Sequence, residues 1–391
     1  MAYDQSPYRR DGEQLSAGPA AYRAGAAATD FRTRGYDPEP ADSGVRITEP
    51  LPEPIRRHNG DAGDRDRLGV HIGWEIVLLL AVAAIAFLLY QLDADALRRP
   101  ALDTLLISGA AIGLLGLGAG LSLCAGVPNL AVGPISLAAA LHFAENGDQG
   151  LVRAAVPALI VAAAGGLIAA IVVLVFHVPG WLTSLGAAMG VIVYDQLRTA
   201  PAAIQGTFDP SDQAFFLFGG FALLAVLGGA SGASWPVRRM VGRMRPTGDP
   251  AVRPGGRAVF PVLTALVVSS VFAVVAGILF TAGSDAPVVP GTGLEWTGIA
   301  FGVALLAGTS AYGRRGGIFG TLLATAGITL FLDYAARRDL DIALFAVGAV
   351  TIGAGLVVTR LVEAYGKPAA DDWTGGEDWS PAEPNSWGNG R

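Results

Sequence analysis

Charged side chains are scarce in this sequence of 391 residues. They make up 15% of the chain, against 52% hydrophobic residues and a mean hydropathy of +0.47. Soluble domains usually carry about 25% charged residues, so the composition is typical of a membrane protein. The formal net charge of -6 gives no indication of nucleic-acid binding.

Residues that carry catalytic or metal chemistry are also rare. The single cysteine, Cys124, excludes an intrachain disulfide, and the apolar run around it indicates a small buried side chain. His142 and His177 lie near the ends of apolar segments without a second ligand at metal spacing, so we interpret both as structural. Because paired carboxylates, Cys/His clusters and nucleophile elbows are missing from the sequence, it predicts no enzyme, no cofactor and no metal site.

Ionisable groups are missing from the middle of the apolar segments. Residues 104–144 and 154–194 contain no Asp, Glu, Lys or Arg. Proton-driven carriers need such groups at mid-depth, so the sequence argues against that mechanism. The acids within apolar segments lie near segment ends, and Glu75 is the deepest of them, about one turn inside. We interpret Glu75 as a residue near the cytoplasmic headgroups. The acids in question are Glu75, Asp103, Asp195 and Asp333.

The two ends of the chain have a different composition. Residues 1–68 hold ten Arg, twelve Asp or Glu and seven Pro, with no apolar periodicity, and are predicted to be a disordered cytoplasmic tail. Residues 361–391 are predicted to be a second disordered, acidic cytoplasmic tail, whose three tryptophans indicate either a docking motif or a chance cluster.

Long apolar runs fill the chain between the tails. A helix needs about 20 apolar residues to cross the hydrocarbon core. We therefore expect an all-α polytopic membrane domain over 69–360 with about ten transmembrane helices. The third and eighth are short and adjoin glycine-rich breaks, which must be covered by protein or a water-filled cavity. The ten segments are 70–91, 101–124, 133–146, 151–176, 178–197, 213–235, 258–282, 297–312, 317–336 and 342–360.

Arginine placement predicts the orientation. The loop 236–257 carries six Arg against one Asp and is expected to be cytoplasmic. Counting spans in both directions from this loop places both termini in the cytoplasm. Most loops on the opposite side are acidic or balanced, and two outer Arg pairs are offset by nearby aspartates.

The run GTSAYGRR, which begins at Gly308, has the outline of a phosphate-binding loop. Such a loop joins a strand to a helix and needs Lys followed by Ser or Thr. Here Arg314 and Arg315 stand at those places, and the preceding run is membrane-spanning. We therefore predict a cytoplasmic turn between two helices and a protein that binds no nucleotide itself.

Four stretches resemble one family when they are taken in order. They are GLSLCAGVPNLAVGPISLAAA, VPGWLTSLGAAMG, AVFPVLTALVVSSVFAVVAGILFTAGSDAP and GTGLEWTGIAFGVALLAGTSAYGRRGGIFGTLL. Together they are similar to the permease subunits of ribose-type ABC importers over residues 100–360. The sequence departs from that family at Asn129, where an aspartate is usual, and at TGDPAVRPGGRA, where proline and glycine disfavour the usual coupling helix.

The resemblance implies a set of partners. These are a separate ABC ATPase, an extracytoplasmic solute-binding protein and a second permease subunit in a bacterial plasma (inner) membrane. Basic residues of the inner loop indicate ATPase docking or contact with anionic lipid headgroups. The loop residues expected at the ATPase are Arg243, Asp249, Arg253 and Arg257.

Polar residues beside the broken segments are the candidate translocation path, because lipid exposure there would be costly. Hydrogen bonding between helices is the alternative role for the Thr and Ser side chains. The candidates are Asn129, Thr183, Ser184, Thr309 and Ser310. The glycines predicted to be structural are Gly126, Gly133, Gly313, Gly316, Gly317 and Gly320. The competing functions are a permease-derived scaffold without active transport and a passive channel, and the sequence does not distinguish a sugar from a nucleoside or another small polar solute.

Overall fold

The computed structural model describes residues 68–234, 259–282, 284, 286–311 and 316–366. Within these residues the chain forms ten α-helices and no β-strand. Two 3-10 turns, Gly147–Gln149 and Ser211–Gln213, precede α4 and α6. The helices are α1 (Leu68–Leu92), α2 (Ala101–Cys124), α3 (Val132–Asn146), α4 (Leu151–Val175), α5 (Gly180–Gln196), α6 (Ala214–Ala233), α7 (Val259–Ala282), α8 (Leu294–Leu306), α9 (Gly320–Arg337) and α10 (Leu344–Gly366).

Six segments of the described chain are long and apolar enough to cross a membrane. They are Gly69–Leu92, Ala101–Cys124, Leu151–Val175, Ser211–Gly232, Val259–Ala282 and Leu344–Val362. The protein is therefore a multi-pass helical membrane protein. Each predicted segment coincides with a helix. However, α3, α5, α8 and α9 are not among the helices that are long and apolar enough to cross a membrane. The described chain therefore has six candidate spans, whereas ten were predicted.

The helix ends depart most from the predicted boundaries at α8 and α10, by six residues each. At α8 the difference has a local cause. The segment was predicted as 297–312, whereas the helix runs from Leu294 to Leu306. It ends early because Gly308 adopts a positive φ of 86°, which takes the backbone out of the helix. The prediction missed this because the apolar composition continues past the geometric end of the helix.

Two long helices form the centre of the bundle. α2 and α7 are mostly buried, and their small residues allow close packing, as where Gly118 approaches the backbone of Ser269. α1, α4 and α6 instead expose most of their apolar side chains. Exposed apolar surface of this kind is what lipid-facing helices require.

The loops at one end of the bundle are tied together. The Ala202 and Val288 backbones pair as an antiparallel bridge, joining the loop after α5 to the loop after α7. Gln205 N, in the loop after α5, donates to Ala144 O at 2.8 Å, which joins this loop to the end of α3 as well. Arg337 pairs with Asp333 at 2.7 Å and with Asp93 at 2.5 Å, linking α9 to the end of α1. These contacts place the loops after α3, α5 and α7 together, and they separately join the end of α9 to the end of α1.

Candidate functional site

The break between α2 and α3 begins with a glycine cap. Gly126 has φ of 75°, a conformation that favours glycine. Its N–H donates to Leu123 O, and Val127 N donates to Ser122 O, both at 3.0 Å. This pair of bonds is a Schellman motif, which satisfies the last carbonyls of α2 and turns the chain out of the helix. The following residues reach α3 without regular structure.

Asn129 fixes this irregular segment from inside the bundle. Its side-chain amide donates to Ser269 Oγ at 2.7 Å and to Ser270 Oγ at 3.3 Å, and its Oδ1 accepts from Ala131 N at 3.1 Å. Asn129 N donates to Ser122 Oγ at 3.1 Å. Ser269 and Ser270 lie near the midpoint of α7, so a buried polar cluster occupies the middle of a helix long enough to span the membrane.

The start of α5 packs against the same break. A Cβ on Gly180 would lie 2.8 Å from Val127 Cα, so only glycine permits this approach. The Ser184 hydroxyl donates to Pro128 O at 2.6 Å and to Trp181 O at 3.1 Å. Thr183 is partly exposed and donates to Pro179 O at 3.3 Å. The break between α4 and α5 is thereby joined to the break between α2 and α3.

A cavity of about 850 Å³ lies between α3, α4, α5 and α7. Asn129, Thr183, Ser184 and Ser270 line one end, which we call the Asn129 end. His142 and Tyr194 line another part, the His142 end. Small and aliphatic residues of α4, such as Ala162, Gly165 and Ala169, form much of the wall between them. A mostly apolar concave surface with a few polar groups is the usual form of a small-molecule site.

An ion pair joins the helices beside the His142 end. The Arg198 guanidinium pairs with the Glu145 carboxylate through contacts of 2.5 and 2.7 Å and donates to Tyr194 Oη at 2.9 Å. The hydrogen bond to Glu145 is the main cause that raises the pKa of Arg198 above its usual range. Arg198 therefore stays charged and ties the residues after α5 to the end of α3.

Asp195 is the least compensated acid in the described part of the chain. It is fully buried, and neither carboxylate oxygen has a hydrogen-bond partner among the described residues. It continues the buried stripe of Ser184, Ala188 and Ile192 along α5. The sequence identified Asp195 only as an acid near a segment end, because its burial depends on the helices packed around it.

The second break, between α8 and α9, repeats the glycine cap. Gly308 N donates to Leu305 O at 2.9 Å, and Thr309 N donates to Ala304 O at 3.0 Å. Thr309 and Ser310 are buried here and do not line the cavity. Three of the five candidate path residues, Asn129, Thr183 and Ser184, therefore lie together at the cavity. The other two, Thr309 and Ser310, lie at the second break, away from the cavity.

Predicted structural glycines surround this second break. A Cβ on Gly316 would lie 2.8 Å from Ala307 O, and Gly317 N donates to the same oxygen at 3.0 Å. Gly320 also approaches Ala307 too closely to admit a side chain. In the first break, Gly133 approaches Gly293 O and Thr297 N in the same way. Gly133, Gly316 and Gly320 need glycine because backbone lies where a side chain would stand, whereas a Cβ on Gly317 would meet the Glu75 side chain.

Glu75 has a partner that the sequence did not reveal. It is buried, and its Oε1 accepts from Phe319 N at 2.7 Å. Phe319 is the N-cap residue of α9, so the carboxylate satisfies a backbone donor that the helix leaves free. Trp74 Nε1 donates to Leu306 O at 2.7 Å on the same side. α1 therefore holds both ends of the second break.

Several predicted residues lie outside the described residues. They are Arg243, Asp249, Arg253 and Arg257 of the basic loop, Gly313, Arg314 and Arg315 of the turn, and residues 1–67 and 367–391 of the predicted tails. The predicted start of the second tail at residue 361 is wrong, because α10 continues to Gly366. The residues that sequence reasoning missed are Ser269, Ser270, Tyr194 and the cavity-lining role of His142. Two adjacent serines in an otherwise apolar helix were the available signal for the α7 pair. Among the described residues, no group of three metal-ligating side chains comes together.

Comparison of the chain with family models, curated proteins and solved structures gave no match.

Proposed function

We propose that the chain is the membrane-spanning permease subunit of an ABC-type importer and forms the pathway for a small polar solute. The observation that carries the proposal is the cavity whose Asn129 end lies beside Ser270, half way along α7. A polar cluster at that depth is costly unless it is paired or used, and mid-depth polar sites beside broken helices are typical of transporters.

The resemblance to ribose-type permeases supports the energy source and the partners. Energy comes from a separate ATPase that contacts the basic loop 236–257, and solute arrives through an extracytoplasmic binding protein. A second permease subunit completes the pathway. The chain lies in a bacterial plasma membrane with both termini in the cytoplasm, an orientation supported by the arginines of the basic loop.

Purification from native membranes tests the proposal most directly. When the full chain is solubilised in mild detergent and purified, an ATPase with a phosphate-loop sequence is expected to co-purify with it. Charge reversal at Arg243 and Arg253 is expected to reduce that recovery and the ATP-dependent uptake of solute. Recovery of other partners without any ATPase would instead support the scaffold, which the proline and glycine residues of 248–256 favour.

Cysteine labelling tests the position of the pathway. In a background with Cys124 replaced by serine, Thr183→Cys is expected to react with an aqueous thiol reagent because Thr183 lines the cavity and is partly exposed. Thr309→Cys is the matched control, since Thr309 is buried and lies away from the cavity. Equal labelling of the two positions, or no labelling of Thr183→Cys, would place the pathway elsewhere.

A further inference from the structure

Asp195 is a buried carboxyl group that the proposed transport function does not use. It lies in the last turn of α5, a helix that is not among the candidate spans, and its side chain is fully buried. Neither carboxyl oxygen has a hydrogen-bond partner among the described residues. An ionised carboxylate is unfavourable in such a place, so the packed structure favours the uncharged acid. Desolvation accordingly raises the pKa of Asp195 to about 7, against a smaller lowering effect of Arg198.

Two polar contacts hold α5 in place, one near each end. α5 packs mainly against α3 and α4, and Asp195 lies on its buried face. Near the start of α5, the Ser184 hydroxyl donates to Pro128 O at 2.6 Å. Just after its end, Arg198 pairs with Glu145 of α3 through contacts of 2.5 and 2.7 Å. We call this second contact the Arg198–Glu145 latch, and it begins three residues after Asp195.

Ionisation of Asp195 weakens the latch in two ways. A charged carboxylate needs water, and water reaches it when the end of α5 separates from α3. The new charge also attracts Arg198, the cation that already acts on Asp195, and so competes with Glu145 for the same guanidinium. His142 of α3 and Tyr194 of α5 both line the His142 end of the cavity, so separation of these helices widens that end.

The surrounding charges leave few groups that can change state near neutral pH. The hydrogen bond from Arg198 lowers the pKa of Glu145, so both members of the latch stay charged there. Histidine is the other side chain that titrates in this range, which makes His142 the group to be separated from Asp195. The titratable or charged groups of α3, α4, the turn between them, α5 and the loop after it are His142, Glu145, Asp148, Arg153, Tyr194, Asp195, Arg198 and Asp209.

We propose that Asp195 is a proton-controlled switch for the Arg198–Glu145 latch: the end of α5 closes on α3 when Asp195 binds a proton and opens when Asp195 releases it. The proton controls access to the cavity and supplies no energy, since Asp195 lies at a helix end and not at mid-depth. The proposal goes beyond the transport function and does not depend on it, because cavity and latch lie within this chain.

The direction of the pH dependence follows from the burial of the acid. Closing raises the pKa of Asp195, so closing takes up a proton. The closed form is therefore fully stabilised below the ordinary aspartate pKa of about 3.9 and loses stability as the pH rises towards about 7. Above that value the carboxyl group is ionised in both forms and the dependence ends.

Thiol labelling beneath the latch measures the opening. Ile192 lies on the buried face of α5, three residues before Asp195. The full chain in lipid nanodiscs, with Cys124 replaced by serine, carries Ile192→Cys and is labelled with N-ethylmaleimide. At each pH the rate is divided by that of Gln149→Cys, an exposed position, which removes the pH dependence of the thiol itself. The normalised rate is expected to rise roughly 50-fold between pH 5 and 7, because opening releases nearly one proton over most of that range.

Variants of the acid identify the group responsible. Asp195→Asn cannot ionise and is expected to hold the normalised rate constant to within about twofold, whereas Asp195→Glu is expected to retain the rise. His142→Gln and Asp209→Asn are the controls, the second in the exposed loop after α5, and both are expected to retain the rise.

Three results would overturn the proposal. They are a parent chain whose normalised labelling does not change with pH, a rise that persists in Asp195→Asn, and a rise that is lost in His142→Gln. The parent and His142→Gln series decide the matter even where Asp195→Asn does not fold. None of these measurements uses an ATPase or a solute, so a wrong transport function and a wrong switch give different results.

Discussion

The hydrogen bond between Asn129 and Ser269 gives the sharpest test of the structure. The two side chains are buried, and the Asn129 amide nitrogen lies 2.7 Å from Ser269 Oγ. Asn129→Ala removes two donated bonds and the bond that Oδ1 accepts from Ala131 N. At about 0.5–1.5 kcal/mol for each bond, we expect a loss of roughly 2–4 kcal/mol in the free energy of unfolding.

A double-mutant cycle isolates the bond from the size change. Asn129→Ala, Ser269→Ala and the double variant are compared with the parent by equilibrium unfolding in mixed detergent micelles. Because the second substitution no longer removes the shared bond, we expect the double variant to be more stable than the sum predicts. The coupling energy should be about 0.5–1.5 kcal/mol.

Ser231→Ala is the matched control for this cycle. Ser231 lies on α6, is exposed, and donates to Gly228 O within its own helix. Its combination with Asn129→Ala should be additive to within about 0.3–0.5 kcal/mol. If Asn129 and Ser269 were also additive within that range, the bond would contribute nothing and the mid-helix cluster would not stabilise the break.

Three further predictions concern single positions. Glu75→Ala should cost about 1 kcal/mol and increase hydrogen exchange at the Phe319 amide, while Glu75→Gln, which keeps an acceptor, should cost less; equal exchange in both variants would contradict the capping role. Gly133→Ala should lower the free energy of unfolding by about 1–3 kcal/mol, because the new methyl group meets the backbone of α8 and of its N-cap residue. Gly186→Ala is the control: a methyl group there enters open space, so the same unfolding assay should show no loss or a small gain in stability. Asp195→Asn should raise the unfolding midpoint, since an ionised buried carboxylate without partners is costly, and a lower midpoint would show that the carboxylate is compensated.

Composition and apolar run length alone determined the class of protein. A chain with 15% charged residues and long uncharged stretches must place them in lipid, and backbone groups in lipid must pair within helices. The positions of the helices follow from the same pattern, as does the predicted structural role of Gly126. The helix end before Gly308 does not, because the apolar pattern continues to residue 312 whereas the helix ends at Leu306.

Tertiary structure decided which polar residues come together. Asn129 meets Ser269 and Ser270 across 140 and 141 residues of sequence, and Glu75 meets Phe319 across 244. No local periodicity encodes such pairs, because they depend on how α7 and α1 pack against the two breaks. The same packing gathers Asn129, Thr183 and Ser184 at one cavity and leaves Thr309 and Ser310 outside it. The sequence therefore determined that polar groups lie at broken helices, and only the packing of those helices decided which of them line the cavity.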